Sequence, residues 1–503
     1  MNISKVIKMI VIMASVSTTL PVVANDSILY HKMQYEQSRM AFENSSIESP
    51  ALRNISNASS LSTLSIGTSI IPSAEPKVPQ FGKGKRVITI CANSFQHLNE
   101  KEVVWGNASY ENGKKYEVVW NETSDFLQLY PYVMGDERGG DLTFEQYQLN
   151  GGYSVRHHNL YYGIELGYRA LSEYRDKDPR PNNTVSDLYA RLGGGYRLFR
   201  DYLMALSINV GKYKQTNELA YYNELGSQKE YHLTGVGNDF ARFSGSNNNT
   251  FYKGFHVGGT LSTVRTDVQG WAASLGYQYT KREKILSDLN RLPLNKLQTL
   301  LYFGTVSFSH ENYGLRVEGK YTTRKGNDNL FGEPTGNVYP QIGTKEQYKG
   351  AITMAKAEGY YEFLRTRCWT LEVEPKVYYM AFSNKHQASN NCFDSKDIIY
   401  GLNTKAYYIK NKNSFKLLAH FLRHSNLSIT QNIYESANES LTQTLQHICS
   451  YLSNGGTSYG VSMCISRQMW GNKALTIGLG WQQTNYLKGC RNNEYDIKIQ
   501  MTL

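Results

Sequence analysis

Long stretches of the chain alternate between apolar and polar residues with a period of two. From Leu160 to Ala170, one set of alternate positions is apolar and the other is polar, tyrosine or glycine. Because successive side chains of a strand point to opposite faces, this pattern predicts a strand with one apolar and one polar face. Similar segments recur between Leu61 and Leu503, for example around Tyr202, Trp271 and Tyr313.

The predicted strands suit a membrane better than a soluble sheet. They run for about 9–11 residues, enough to cross a bilayer when tilted, whereas soluble strands average about 5–6. Aromatic residues stand at the ends of the apolar faces, Tyr162 and Tyr168 in one strand and Tyr313 and Tyr321 in another, where an interfacial girdle requires them. These features favour a transmembrane barrel over a soluble sandwich.

Connections between the strands alternate in length, as they do in bacterial barrels with short periplasmic turns and longer external loops. Short turns are predicted at Trp470–Lys473, Asn411–Asn413, Leu364–Arg367, His310–Asn312, Arg265–Asp267, Arg200–Asp201 and His157–Asn159. Longer loops are predicted at Leu171–Ser186, Thr216–Asn249, Ile285–Lys296, Lys325–Glu346, Lys385–Asp394, Asn426–Thr457 and Leu487–Asn493.

The predicted fold class is therefore all-β: a transmembrane antiparallel β-barrel of about 16–18 strands, an even number as single-chain closure requires. The barrel occupies residues 61–503, and residues 25–60 form a short N-terminal periplasmic or plug-like segment. Strand starts are predicted at Leu61, Val87, Val103, Asp141, Leu160, Asp187, Tyr202, Phe251, Val268, Leu297, Tyr313, Tyr348, Trp369, Asp397, Phe415, Tyr459, Ala474 and Glu494.

The two ends of the chain resemble export and assembly signals. Lys5 and Lys8 precede a short apolar run that ends in small residues, which predicts a signal peptide over residues 1–24 with cleavage after Ala24. The last strand is amphipathic and ends in the apolar Leu503, similar to the signal read by the outer-membrane insertion machinery. We therefore expect the outer membrane of a Gram-negative bacterium as the location.

Composition supports the barrel and limits the partners. The 503 residues include 39 Tyr and 42 Gly but only 12 Pro, as suits long strands. No apolar run of about 20 residues follows the signal, so the sequence predicts no membrane-spanning helix. The net charge is +11, and many basic residues fall in the predicted loops and turns, which makes outer-membrane lipid and lipopolysaccharide the expected neighbours. Nucleic acid is not expected, because no basic stripe is interleaved with aromatics.

The sequence shows little catalytic or metal-binding chemistry. The six cysteines, Cys91, Cys368, Cys392, Cys449, Cys464 and Cys490, contain no CxxC spacing and allow about fifteen full disulfide pairings. The pair His157-His158 is predicted to lie in a solvated turn. The candidate catalytic set His310, His420, His424 and Ser425 follows no fixed-spacing motif. Gly193-Gly194-Gly195 lacks the helix and Lys of a phosphate loop. We therefore expect no enzyme activity, no cofactor and no metal.

Two resemblances extend this interpretation. The segments Val104–Gly113, Trp120–Asp125 and Leu129–Val133 resemble an uncharacterised family of Bacteroidetes outer-membrane barrels, which implies fold and location but no site. Ser49-Pro50-Ala51, after a helix-like stretch from Ser27 to Asn44, is similar to the hatch motif of the long-chain fatty-acid transporter family, which implies a plugged barrel. An N-terminal segment that merely packs or stays mobile is the alternative.

Two functions remain open. The first is a passive channel or transporter for a small solute, because a barrel of this size can enclose a lumen. The second is a structural or surface-anchoring barrel that binds partners through its external loops, the Asn426–Thr457 loop above all. Within the long, apolar connection Asn121–Gly140, we expect Phe126, Tyr130 and Tyr132 to fold inward as a pore constriction. An extra strand over Asp125–Met134 is the alternative.

Overall fold

The alternating segments form strands that close into one ring. The computed structural model describes residues 28–56, 58–72, 74, 76, 78–199, 201–223, 228–245, 249–366, 368–434, 436–469, 471–486 and 491–503. The predicted signal peptide over residues 1–24, Trp470 and Cys490 lie outside the described residues.

Eighteen strands build the barrel. They are β1 (Leu61–Ile71), β2 (Gly84–Asn99), β3 (Glu102–Val118), β5 (Gly140–His157), β6 (Leu160–Tyr174), β7 (Arg180–Phe199), β8 (Tyr202–Ala220), β11 (Thr250–Arg265), β12 (Gly270–Leu286), β13 (Leu292–Ser309), β14 (Tyr313–Phe331), β15 (Gln341–Arg365), β16 (Trp369–His386), β17 (Cys392–Lys410), β18 (Asn413–Asn432), β19 (Gly456–Gln468), β20 (Ala474–Tyr486) and β21 (Arg491–Thr502). The remaining strands, β4 (Met134–Gly135), β9 (Tyr231–Gly235) and β10 (Asn238–Asp239), form a small separate sheet in the order β10-β9-β4.

Each barrel strand pairs antiparallel with the next barrel strand along the chain, and the last pairs with the first. The closing seam joins β1 to β21 from Thr63 opposite Thr502 to Ile70 opposite Tyr495. Closure leaves no sheet edge, which is the condition for strands to span a bilayer. The prediction of an all-β transmembrane antiparallel barrel is confirmed, with eighteen as the strand number.

The faces of the strands follow the predicted alternation. Along β6, the apolar residues Leu160, Tyr162, Ile164, Leu166 and Tyr168 are 39–53% exposed on the outer surface. Between them, Tyr161 and Glu165 are covered on the inner side. An apolar exterior over a polar interior is the arrangement that lipid requires of a barrel.

The strands are longer than predicted at the end that carries the longer loops. The loop predicted over Leu171–Ser186 shrinks to residues 175–179, and Lys325–Glu346 shrinks to residues 332–340. In the Asn426–Thr457 loop, β18 continues to Asn432 and a helix covers Glu439–Ser453. Beyond the bilayer both faces of a strand meet polar surroundings, so the sequence alternation stops while backbone pairing continues.

Helices are short and lie in the N-terminal segment and the connections. They are α1 (Ile28–Glu36), α2 (Ser38–Ser45), α3 (Phe126–Leu129) and α4 (Glu439–Ser453), with 3-10 helices at Pro50–Ile55 and Pro79–Phe81. Within the described part of the chain, no helix combines the length and apolar character needed to span a membrane. The helix-like stretch expected over Ser27–Asn44 is in fact two helices, separated at Gln37.

Candidate functional site

Two segments of the chain contact the inner surface of the barrel. The N-terminal segment, residues 28–55, contacts inward-facing side chains near the short-turn end. The inner loop, residues 119–139, connects β3 to β5 and lies towards the opposite end. Together they make the barrel interior the candidate functional site.

The N-terminal segment follows the inner wall from one strand to the next. Lys32 donates hydrogen bonds to Ser466 of β19 and Thr476 of β20, at 2.8 and 2.7 Å. Further along, Glu36 pairs with Lys416 of β18 at 2.8 Å. These bonds fix the first helix to the wall, and burial lowers the pKa of the Lys32 ammonium.

The later part of the segment continues around the same ring. The ring of Phe42 packs edge-on against Tyr360 of β15, with centroids 4.8 Å apart. Ser274 of β12 donates to the Glu48 carboxylate at 2.7 Å, and Ser154 of β5 donates to the carbonyl of Ala51 at 3.0 Å. Burial raises the pKa of Glu48. The segment therefore touches strands on most sides of the barrel.

Two inward glycines allow the segment to approach the wall closely. A Cβ atom on Gly163 would lie 2.3 Å from the carbonyl carbon of Pro50, and one on Gly193 would lie 2.5 Å from the Ser49 hydroxyl. Real Cβ atoms do not approach backbone this closely, so the site of the Ser49-Pro50-Ala51 motif depends on these glycines. Within the triple-glycine stretch, Gly193 is the residue that meets the N-terminal segment.

The inner loop joins opposite parts of the wall. Arg169 of β6 donates two hydrogen bonds to the Asp125 carboxylate, at 3.0 and 2.6 Å. Arg324 of β14 donates to the Leu127 carbonyl at 2.8 Å. Five strands separate β6 from β14 in the ring, so the loop reaches across the interior.

The three expected constriction residues, Phe126, Tyr130 and Tyr132, all lie in the barrel interior, where two of them belong to a row of aromatic rings. Phe126 and Tyr130 stand in a row of four rings, from Phe81 through Phe126 and Tyr130 to Tyr348 of β15, with successive centroids 5.7, 5.6 and 5.9 Å apart. Tyr132 is 2% exposed and packs at the wall end of the row, in a cluster with Tyr348 against which Tyr130 also packs. The alternative of a strand over Asp125–Met134 does not form, because α3 occupies its first turn. The effect on a pore stays a prediction.

A buried acidic cluster, Glu122, Asp136 and Glu230, joins the inner loop to the loop between β8 and β11. All three residues have no exposed surface, and one oxygen of each lies within 4.8 Å of the others. Arg175 donates to Glu122 at 2.9 Å and to Asp136 at 2.7 Å, and Tyr221 donates to Glu230 at 2.6 Å. Sequence reasoning missed this cluster, because Glu230 lies far from the other two acids along the chain.

The cluster holds three carboxyl groups and one guanidinium, that of Arg175. Burial beside other carboxylates raises the pKa of Glu122 well above its ordinary value, and burial raises the pKa of Glu230. The carboxyl groups of Glu122 and Glu230 lie within hydrogen-bonding reach of each other, so a proton held by one of them bonds the pair.

One side of the interior is apolar. Its members face inward from β15, β16 and β17, where Met354 lies opposite Met380 and Ile352 lies opposite Phe382. The ring of Phe382 stacks on that of Phe393 at 6.0 Å. Met354 keeps 40% of its surface exposed although it faces inward. We call this surface the apolar patch: Ile352, Met354, Met380, Phe382 and Phe393.

The opposite side of the interior is polar. Across β6 and β7, Arg191 lies 3.8 Å from Glu165, and Tyr189 donates a hydrogen bond to the same carboxylate at 3.2 Å. Gln148 of β5 faces inward and is exposed. The interior thus presents one apolar and one polar surface to whatever occupies it.

The histidines and cysteines considered in the sequence do not assemble into a site. His310 lies on the turn after β13 and stacks on Tyr313, whereas His424 of β18 bonds to Asp397 at 2.9 Å. His157 and His158 contact each other in their turn. Among the described cysteines, none forms a disulfide: Cys91, Cys368, Cys392, Cys449 and Cys464.

Comparison with known proteins gives a family and several barrels of low similarity. The model described as "Family of unknown function (DUF6850)" matches residues 50–503. No curated protein matches the chain in sequence. The ferric yersiniabactin uptake receptor FyuA from Yersinia pestis is 9% identical, with 88% of this chain and 80% of that one covered at a TM-score of 0.40.

Two further solved structures are similar to the same extent. The ferric preacinetobactin receptor BauA from Acinetobacter baumannii is 8% identical. The match covers 88% of this chain and 80% of the BauA chain at a TM-score of 0.38. The ferric citrate transporter FecA is 9% identical, with 88% and 78% covered at a TM-score of 0.41. At such scores, the description of the fold rests on this chain's own strand pairing.

Proposed function

We propose, from the premise that the chain belongs to the family of unknown function DUF6850, that this barrel carries a small solute across an outer membrane as a passive channel or transporter. The apolar patch is the observation that carries the proposal. Apolar side chains exposed on a barrel's inner wall are unfavourable in water, and exposed apolar surface of this kind marks binding sites. We infer a solute with an apolar portion.

The two segments inside the barrel fit this function. We propose that the N-terminal segment acts as a plug and that the inner loop, with Phe126 and Tyr130 in its row of rings, narrows the path. Tyr132 supports the row from the wall beside Tyr348. A barrel that served only as an anchor would need neither segment in its interior.

Surface anchoring is the second candidate function, and α4 is the observation that favours it. The helix is ordered within the loop after β18, and its N-cap Asn438 accepts a hydrogen bond from the amide of Ser440 at 2.7 Å. A capped helix of 15 residues at the loop end of the barrel offers a firm contact surface. Outer-membrane lipid, lipopolysaccharide and the insertion machinery are the partners proposed for the barrel exterior.

Conductance distinguishes the two functions. The purified mature protein, reconstituted in planar bilayers, is expected to show discrete single-channel steps. A matched variant, Met354→Gln with Met380→Gln, replaces two apolar side chains of the patch by polar ones of similar size. Conductance of small ions should persist in this variant, while uptake of apolar solutes into proteoliposomes should fall. A folded protein that shows neither single-channel steps nor solute uptake would favour anchoring.

A further inference from the structure

A run of lysines crosses the outer surface of the barrel near the end that carries the longer loops. On consecutive barrel strands, β8 and then β11 to β17, the first charged residue beyond the apolar part of the outer face is a lysine. Each lies an even number of residues from an exposed outer apolar side chain of its strand, so each points outward. We call this surface the lysine arc: Lys212, Lys253, Lys281, Lys296, Lys325, Lys349, Lys385 and Lys396.

The arc lies just beyond a row of tyrosines on the same surface. Tyr277, Tyr302 and Tyr321 lie opposite one another on β12, β13 and β14, and each is 46–50% exposed. Outward tyrosines of this kind mark the boundary between the hydrocarbon core and the lipid headgroups. Lys281 and Lys325 follow Tyr277 and Tyr321 at a distance of about 13 Å along the strand. The arc therefore lies at the depth of the headgroups.

Several lysines of the arc face each other directly. Lys325 lies opposite Lys349, and Lys349 lies opposite Lys385. Like charges at directly opposite positions of paired strands are destabilising, and neighbouring strands are only about 4.8 Å apart. An anion bound between these side chains offsets the repulsion, and a phosphate group has enough oxygens to accept hydrogen bonds from two or three ammonium groups at once.

Acidic side chains on the same surface compensate only part of the charge. Glu283 pairs with Lys253 at 3.3 Å and with Lys281 at 2.6 Å, and Glu346 pairs with Lys349 at 2.9 Å. Asp394 also faces outward beside the arc, opposite Ser383. The lysines of the arc exceed these acids by five positive charges. Within the described part of the chain, the arc lysines without an ion pair are Lys212, Lys296, Lys325, Lys385 and Lys396.

The arc covers only part of the ring, which separates it from a general band of interfacial lysines. On β19, β20 and β6, the residues just beyond the apolar outer face are Tyr459, Gln483 and Ser172. A band that served only to hold the barrel at the membrane interface would be needed on all sides, since lipid surrounds the barrel. A basic surface on one side indicates a specific anionic ligand.

A cleft adjoins the arc on the outer surface of β8 and β11. It has a volume of about 410 Å³, and its lining includes Lys214, Phe251, Arg291 and Glu218. Lys214 lies opposite Lys253 of the arc, so the repulsion of facing lysines recurs here. The cleft has room for a sugar ring next to the cations that would hold a phosphate group.

We propose that the lysine arc binds the phosphate groups of lipopolysaccharide in the outer leaflet of the outer membrane. The longer loops of a bacterial barrel face the outside, and lipopolysaccharide is the phosphorylated glycolipid of that leaflet. Its phosphates complement the excess positive charge, and its sugars suit the adjoining cleft. This inference rests on the lipid partners proposed above for the barrel exterior, and it holds whether or not the barrel conducts.

Lipid binding by the full mature protein in a non-ionic detergent tests the proposal. The probes are lipid A with its phosphates, the same lipid A after enzymatic dephosphorylation, and phosphatidylglycerol as an anionic phospholipid. We expect lipid A to bind saturably and the other two probes to bind on the order of tenfold more weakly. This comparison uses the wild-type protein alone, so it needs no variant to fold.

The triple variant Lys325→Gln, Lys349→Gln and Lys385→Gln removes three facing charges and should weaken lipid A binding on the order of tenfold or more. The corresponding triple arginine variant keeps the charges and should retain binding. The matched control changes three exposed lysines near the short-turn end to glutamine and should bind lipid A as the wild type does: Lys101, Lys410 and Lys412.

A heat-modifiable band in electrophoresis establishes that each variant is folded before affinities are compared. Equal lipid A binding by the wild type and the glutamine variant of the arc would overturn the proposal, as would an equal loss in the short-turn control. Undiminished binding of dephosphorylated lipid A or of phosphatidylglycerol would also overturn it. Conductance and solute uptake should be unchanged in the arc variant, so failure of this proposal and failure of the channel proposal are separate results.

Discussion

At the residue scale, the position of one side chain on a strand decides whether it meets lipid or the interior. Leu166 is 53% exposed on the outer face of β6. Leu166→Arg is expected to cost about 2–4 kcal/mol, because it places a charge near the bilayer midplane. Chemical denaturation of the protein folded into lipid vesicles measures this loss.

The control must lie on the inner face, and the structure changes the choice of residue. The sequence suggests the neighbouring Gly167 as a site that tolerates serine. A Cβ on Gly167 would lie 2.1 Å from the outer end of the Tyr189 ring, so serine at this position requires that ring to move. Gln148→Arg is the better control, since Gln148 faces inward and is exposed. Equal destabilisation by Leu166→Arg and Gln148→Arg would contradict the assignment of the two faces.

A second prediction at this scale concerns Gly163, whose lack of a side chain admits the backbone of Pro50. Gly163→Ala is expected to displace the N-terminal segment while the barrel remains closed. Limited trypsin digestion should then cleave faster at Arg39 or Arg53. Gly194→Ala is the matched control, because nothing lies within 4 Å of a Cβ at that position. Unchanged protection in Gly163→Ala would show that the close approach does not hold the segment.

At the element scale, the inner loop should determine the width of the path. Deletion of Phe126 to Met134 removes two of the four rings in the row and the carbonyl of Val133 that Lys284 contacts at 3.1 Å. Single-channel conductance is expected to rise, because the segment that crosses the interior is lost. The barrel should still migrate as a folded species before heating. Unchanged conductance in a folded variant would rule out a constriction by this loop.

The acidic cluster makes the stability of the inner loop dependent on pH. Glu122 and Glu230 have raised pKa values in the folded protein, with Asp136, Arg175 and Tyr221 as their charged or titratable neighbours. A carboxyl whose pKa is raised on folding stabilises the fold at low pH and loses that contribution as pH rises through the folded pKa. Amide exchange of residues 119–139, corrected for its intrinsic rate, should therefore accelerate with rising pH. Slower corrected exchange at higher pH would contradict this prediction.

At the scale of the whole molecule, closure depends on the seam between the last strand and the first. Ile499 of β21 lies opposite Ile66 of β1 and Ile477 of β20. Ile499→Pro is expected to prevent closure, because proline removes a ladder donor and clashes within a paired strand. Loss of the heat-modifiable folded band in electrophoresis would show this, and Ile499→Val should retain the band. A folded proline variant would mean that the seam can open locally without consequence.

The sequence by itself determined the strands and their faces. Alternation is a local property, since the side chains of residues i and i+1 point to opposite faces whatever lies around them. Six predicted strand starts coincide with the observed ones: Leu61, Leu160, Tyr202, Tyr313, Trp369 and Ala474. The loop bounds were less accurate because paired strands outside the bilayer carry no apolar face to mark them.

Only the tertiary structure decided what the interior contains. Glu230 meets Glu122 and Asp136 because two loops fold into one space, and no spacing in the sequence records that contact. The apolar patch likewise depends on register, which sets Met354 opposite Met380 on the inner wall. A local pattern assigns a residue to one face of a strand. A site requires residues from distant strands and loops to meet, and only closure of the barrel brings them together.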